Sequence, residues 1–423
     1  MHTLYNILLV PVRWLASLAS IRFRRDPVRS AEWAERRVRT VPRIRPGGLW
    51  IHGASVGEAR IVTSLAGAVR QSQPDRALAA SSYTRTGRAS LPGPPALDAA
   101  FFMPLDLPGY PSRVLNAVQP KGLVLVETEL WPNLIRETTE RRIPIIMVNG
   151  RLSPKRMRQY RRYRSLYRPL LESLTAVGVQ SEEEAGRFTE LGVRQDRIAV
   201  TGNIKYDLPR PATDRTALAA RVGISGDRQV LVAGSTGPGE EAIVIKAFLE
   251  LRRHMPETYL VLAPRHPERC DAVFRESATA GLNLRRLSRA ETGDGGCADG
   301  LLVDTLGELT ALYTLADVAF VGGSLIPVGG HNVLEPAAAG IPVLFGPHIE
   351  HFREPAQALL DAGGGSVVAD AAELAQAFRT YLADPDRASA AGAAAGQVVE
   401  SNRGALALSV ALVLKALTQD SAS

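Results

Sequence analysis

Phe320 to His348 reads FVGGSLIPVGGHNVLEPAAAGIPVLFGPH. The apolar run Val318–Val321 breaks into a loop that holds Gly322, Gly323, Gly329 and Gly330. Residues Asn332 to Gly340 then read as a helix, and a second apolar run, Pro342–Leu344, follows at once. Strand, glycine loop, helix and strand in so short a span predict a parallel β-α-β unit. The loop can wrap a phosphate, and the helix start would offer an anion unpaired N–H groups and the positive end of a dipole. Glu335, in the first helical turn, can accept both ribose hydroxyls of a nucleotide. The segment therefore points to nucleotide-sugar binding.

The same alternation extends outward in both directions. Upstream, Val230–Ala233, Tyr259–Ala263 and Gly300–Val303 are short apolar runs followed by turns and helical patterns. An earlier series comprises Gly48–His52, Ala77–Ser81, Gly122–Val126 and Ile143–Val148. Between the two series lies KYDLPRPATD, Lys205 to Asp214, whose prolines and charges suit a hinge. The fold class expected is α/β, with two doubly wound, Rossmann-like domains facing one another across a cleft. Ligands of such sheets sit beyond the carboxyl ends of the strands, so the residues just after each strand are where chemistry is expected.

Composition narrows the function classes. At 423 residues and 45% hydrophobic, the chain can build two real cores and is neither fibrous nor disordered. Cys270 and Cys297 cannot form a disulfide framework and fit a reducing compartment. No CxxC pair or His/Cys cluster suggests zinc. The formal charge of +7 is concentrated at the start: residues 1–45 hold ten arginines against three acids, so the remainder is formally neutral. A nucleic-acid reader would spread its basic side chains through the fold, so anionic lipid is the better partner.

The segment Leu4 to Ile21, LYNILLVPVRWLASLASI, is apolar but interrupted by Pro11 and Arg13. Eighteen helical residues reach ~27 Å, marginal for a ~30 Å hydrocarbon core. Its leading stretch lacks Lys or Arg, unlike a cleaved signal peptide, and the arginines that follow favour the cytoplasmic side. We read it as an anchor lying in the membrane interface or shallowly inserted. The alternative is a helix that covers an apolar surface of the first domain.

Four further stretches carry chemistry-bearing residues. Glu58 ends GASVGE, after the first strand, where a helix should begin; it is a candidate general base, or a glutamate favoured there by the helix dipole. Glu127 and Glu129 follow the strand Gly122–Val126, and alternate residues of an extended segment would face one side together. One of the two could instead cap the helix expected near Pro132. Lys205 lies at the domain junction, where a lone lysine is usually solvent-facing. Arg265 and His266, between Pro264 and Pro267, place a fixed cation and an imidazole at a strand end, suited to a phosphate.

Together the motifs HGASVGE, VETELWPNL, NGRLSPKR, GNIKYD, PRHPER, DTLGEL and GGSLIPVGGHNVLEP resemble the 3-deoxy-D-manno-octulosonic acid (Kdo) transferases that glycosylate the lipid A precursor. The resemblance is colinear and runs to Asn402-Arg403-Gly404-Ala405. It implies the GT-B glycosyltransferase fold, CMP-Kdo as donor, a lipid A precursor (lipid IVA) as acceptor, and work at the cytoplasmic face of the inner membrane. It places the general base on Glu58 and the groups that stabilise the transition state on Glu129 and Lys205. CMP contacts fall on Arg265, His266, Gly307, Glu308, Leu309, Asn332, Val333, Leu334 and Glu335. No metal or other cofactor is expected, because the leaving group carries one phosphate. The domains implied are a basic anchor segment (1–45), an acceptor domain (46–205), a hinge (206–215), a donor domain (216–400) and a final helix (401–423). Pro238, in GSTGPGEE, departs from the family pattern and could stiffen that loop. Another GT-B enzyme, such as a UDP-sugar 2-epimerase or a transferase with a different donor, and an inactive membrane-docked carbohydrate-binding protein are the alternative readings.

Overall fold

The computed structural model describes residues 2–208, 214–224, 228–292 and 298–419. Residues 209–213 of the expected hinge and Cys297 lie outside the described residues. The chain divides into two compact units, Met1–Asp207 with Arg403–Ser423, and Leu208–Asn402.

The first unit carries seven parallel strands: β1 (Leu49–His52), β2 (Leu78–Ser82), β3 (Ala99–Phe102), β4 (Gly122–Val126), β5 (Ile145–Gly150), β6 (Ala176–Val179) and β7 (Ile198–Val200). Their order is β3-β2-β1-β4-β5-β6-β7. The direction of winding reverses between β1 and β4, which pair in the register Leu49↔Gly122 to His52↔Leu125. Central strands such as LWIH and GLVLV are buried on both faces, which explains their unbroken apolar runs. One face packs Trp50, Leu123, Leu125 and Phe188; the other packs Ile51, Leu65, Val124 and Ile146.

The second unit repeats the architecture with β8 (Val230–Thr236), β9 (Tyr259–Pro264), β10 (Leu284–Arg286), β11 (Gly300–Leu302), β12 (Val318–Val321), β13 (Val343–Phe345) and β14 (Gly365–Val367). The order is β10-β11-β9-β8-β12-β13-β14, so its reversal falls between β8 and β12. Every described pairing in both sheets is parallel.

Three sequence expectations need correction. The helix expected over Asn332–Gly340 is the five-residue turn Leu334–Ala338. The Asn332 side chain accepts the Leu334 N–H at 3.2 Å, an Asx turn that keeps residues 332 and 333 outside the helix. The final helix, Ala405–Gln419, is not a separate appendage. It packs on the first sheet through Val413, Ala416 and Leu417, and the Asp207 carboxylate accepts the Gly404 and Leu406 N–H groups at its start. Residues 1–45 are not one basic anchor segment. The helix Pro27–Arg36 is built into the first unit: Arg36 is buried, ion-paired with Glu32 at 2.9 Å and stacked over Tyr83 and Phe102.

The apolar N-terminus forms two helices, His2–Leu8 and Val10–Arg22. Pro11 has no N–H to give to Ile7, which accounts for the break. Among the described residues no helix is long and apolar enough to cross a membrane. Leu8, Trp14, Leu15 and Leu18 are 62–70% exposed. The Tyr5 hydroxyl donates to Asp106 at 2.9 Å and the Asn133 amide donates to Asn6 at 2.9 Å, which ties these helices to the first unit.

Candidate active site

At the end of β1 the chain turns through Gly53 and Ala54 into the helix Val56–Ser72, with Ser55 as N-cap. A Cβ on Gly53 would lie 2.9 Å from the Val62 side chain, so only glycine lets this helix start so close to the strand. The Ser55 hydroxyl accepts the Glu58 N–H at 3.4 Å and donates to the Glu58 carboxylate at 2.9 Å. The other Glu58 oxygen accepts the Ala54 N–H at 2.6 Å. This reciprocal cap holds the carboxylate in one place. Its structural role as a cap is real, and each oxygen keeps a lone pair for further work. Burial, and then the charge of Glu127, raise its pKa despite these bonds.

At the end of β4, Glu127 is in the left-handed region at φ +58°, which costs a non-glycine residue of order 1 kcal/mol or more. The segment is therefore not extended there, and the alternation argument for Glu127 and Glu129 does not hold, although both carboxylates reach the same cluster. Glu127 accepts from the Lys205 ammonium at 3.1 Å and from the Arg151 guanidinium at 3.2 Å. Burial pushes its pKa up, but Lys205 and Arg151 outweigh burial and hold it below the ordinary carboxylate range. Glu129 goes the other way: burial first, then the neighbouring Glu58 charge, lift its pKa to about 7, against Arg156 at 3.9 Å. Neither glutamate caps the helix Pro132–Glu140. Asp106 does that, accepting the Asn133 and Leu134 N–H groups at 2.9 Å each.

Lys205 sits in the short turn Ile204–Tyr206. The Asn149 side chain, near the end of β5, accepts the Ile204 N–H at 2.9 Å and fixes that turn. The first unit thus brings Glu58, Glu127, Glu129 and Lys205 together at the β1/β4 reversal, where a doubly wound sheet opens a crevice.

The second unit gathers the other expected residues less completely. Glu335 accepts from the Asn332 amide at 3.0 Å and from the Thr310 hydroxyl at 3.3 Å, joining the 307–310 and 332–335 segments. Gly307 has φ +87° and Glu308 pairs with Arg221 at 2.7 Å. Val333 and Leu334 are buried. Arg265 follows β9 and its N–H donates to the Thr236 carbonyl at 2.9 Å, so it lies by the end of β8. His266 is largely exposed beside Glu268.

Glu240 was not singled out by sequence, and Glu127 was read only in part. Glu127 was visible only as half of a carboxylate pair, and its positive φ carries no sequence signal. Glu240 is fully buried, with four backbone N–H groups on its carboxylate. The adjacent glutamates of GPGEE were the available hint.

Two parallel seven-stranded sheets, each doubly wound with one reversal of winding, make up the two-domain GT-B fold that glycosyltransferases share with some other sugar-nucleotide enzymes. A glycosyltransferase structure from Rickettsia africae shares the fold, with a TM-score of 0.55 over 89% of this chain and 99% of that one, at 14% identity. A UDP-GlcNAc 2-epimerase from Neisseria meningitidis does so equally at 11% identity (TM-score 0.55; 88% of this chain, 100% of that one), a likeness of fold alone. The family model for 3-deoxy-D-manno-octulosonic-acid transferase (kdotransferase) matches residues 31–208. The 3-deoxy-D-manno-octulosonic acid transferase of Haemophilus influenzae is 34% identical over 365 residues, 85% of each protein. That of Bordetella pertussis is 33% identical over 368 residues, 84% of each. The chain belongs to the Kdo transferase family.

Proposed function

We propose that this enzyme transfers Kdo from CMP-Kdo to a lipid A precursor, with inversion at the anomeric carbon. The observation that carries the mechanism is the meeting of Glu58, Glu129 and the Glu127–Lys205 pair at one strand-end reversal. Glu58 takes the proton of an acceptor hydroxyl as that oxygen forms a bond to the anomeric carbon of Kdo. The bond from that carbon to the CMP phosphate breaks, and its electron pair leaves with the phosphate. Lys205, held by Glu127, offers positive charge to the departing or sugar carboxylate oxygens. Glu129 stands where oxocarbenium character develops, and a pKa of about 7 lets it shift between its neutral and charged forms near neutral pH.

The second domain would hold the nucleotide through Arg265, His266, Gly307, Glu308, Leu309, Asn332, Val333, Leu334 and Glu335. Family membership supports these roles, and so does the Glu335–Thr310–Asn332 cluster. A single phosphate can be met by fixed cations, so turnover is expected to survive a chelator unchanged; a loss restored by Mg²⁺ would overturn this. The exposed apolar side chains of Val10–Arg22 and the exposed Arg13, Arg22, Arg24 and Arg25 support docking on the cytoplasmic face of the inner membrane, in the interface.

The direct test replaces the base. In Glu58→Gln, transfer should fall by about 10²–10⁴-fold while CMP binding stays within about twofold, and turnover near that of the parent enzyme would reject the assignment.

A further inference from the structure

Glu240 opens the helix Glu240–Arg252, directly after β8, and none of its surface is exposed. One carboxylate oxygen accepts the Gly237 N–H at 2.7 Å and the Gly323 N–H at 2.6 Å. The other accepts the Ser324 N–H at 2.9 Å and the Leu325 N–H at 2.8 Å. A simple helix cap explains only the first of these bonds. The other three come from the glycine loop that follows β12, the strand beside β8. Glu241, by contrast, is held by Arg269 at 2.7 Å and Thr236 at 3.2 Å.

The loop is shaped around this carboxylate. A Cβ on Gly322 would lie 2.6 Å from the Ser235 carbonyl and 2.9 Å from Glu240, so glycine is required for the approach. On its carbonyl side the same loop accepts the Gly330 N–H at 2.8 Å and the His331 N–H at 3.2 Å. Ser324 takes the His348 N–H on its carbonyl at 3.0 Å and the Gly346 N–H on its hydroxyl at 2.8 Å. Glu240 is thus one bond away from residues 323–325 and two from the turn leading to Asn332 and Glu335.

We propose that Glu240 is a positioning residue for donor binding, a built-in anion that fills the amide nest of the glycine loop and sets the Gly329–Glu335 stretch. The inference rests on the reading of this domain as the binder of the CMP-linked sugar. It reverses the first expectation for the loop: the Gly323, Ser324 and Leu325 amides are already taken by a carboxylate, so the donor phosphate is bound by other groups.

The experiment uses the full-length enzyme. In Glu240→Gln an NH₂ group faces backbone donors, so the Kd for CMP and the donor KM should rise about tenfold or more, with acceptor KM and kcat at saturating donor within about threefold. Amide exchange at residues 323–325 should speed up in the variant without any ligand. If Glu240→Gln does not fold, Glu240→Ala titrated with acetate provides the reading: acetate should restore CMP affinity and acetamide should not. Parental CMP affinity in Glu240→Gln, or equal losses in kcat and both KM values, or equal effects of acetate and acetamide, would overturn the proposal. Parental enzyme that does not bind CMP at all would instead overturn the donor reading, while the exchange result would still report on the loop.

Discussion

Three carboxylates at the ends of two neighbouring strands, β1 and β4, behave differently because of what surrounds each. Glu127 is matched to two cations and stays charged, Glu58 is bound by its own helix cap, and Glu129 is buried near another carboxylate. Because the Glu58 pKa is raised, the acidic limb of kcat/KM should lie above the ordinary carboxylate range; a limb at or below pH 4.5 would contradict its role as base. Glu129 binds protons more tightly folded than unfolded, so its effect on stability is favourable below the unfolded pKa and is lost as pH rises from 4.5 towards 7. Glu129→Gln should therefore gain stability relative to the parent at pH 8 but not at pH 4, by at most ~3 kcal/mol at ~1.4 kcal/mol per pKa unit. Equal shifts in thermal midpoint at both pH values would show that burial of this charge is not the cause. Of this group, Glu58, Glu129 and Lys205 were legible in the sequence through motif likeness and strand-end position. The partner that holds Lys205 was not, because Glu127 is placed by a left-handed backbone that no local composition encodes.

At the scale of elements, long apolar runs were the readable ones. LWIH, GLVLV and VAFV sit in sheet interiors, where both faces demand apolar residues. The strands that escaped notice are short and mixed: LRR of β10 and GSV of β14 lie at sheet edges, IAV of β7 likewise, and AVGV of β6 carries a glycine. AAFF of β3 is another edge strand of four residues. The Asn332 helix was overestimated because an asparagine in front of a helical run reads the same whether it caps the run or turns the chain first. The N-terminal helices carry a prediction of their own. Trp14, Leu15 and Leu18 are exposed, so replacing the three by Ser or Asn should release protein from vesicles of anionic lipid and slow transfer to vesicle-embedded acceptor, with little change in thermal midpoint. An unchanged bound fraction would remove the anchor from the account.

At the scale of the whole molecule, the return of Ala405–Gln419 to the first unit could not be read locally, since its apolar face is compatible with either sheet. The division of labour between the units is testable through ligands. CMP should raise the thermal midpoint and UDP should not, by the linkage of binding to folding; a UDP response without a CMP response would favour a nucleotide-sugar epimerase or a different donor. The most direct measurement is the mass spectrum of a lipid A precursor after incubation with the purified enzyme and CMP-Kdo made in situ. The expected product is heavier by one or more whole Kdo residues with the parent enzyme and unmodified with Glu58→Gln. An unmodified acceptor with a parent enzyme that binds CMP, or modified acceptor from the Glu58 variant at a comparable rate, would contradict the assignment of this chemistry to this site.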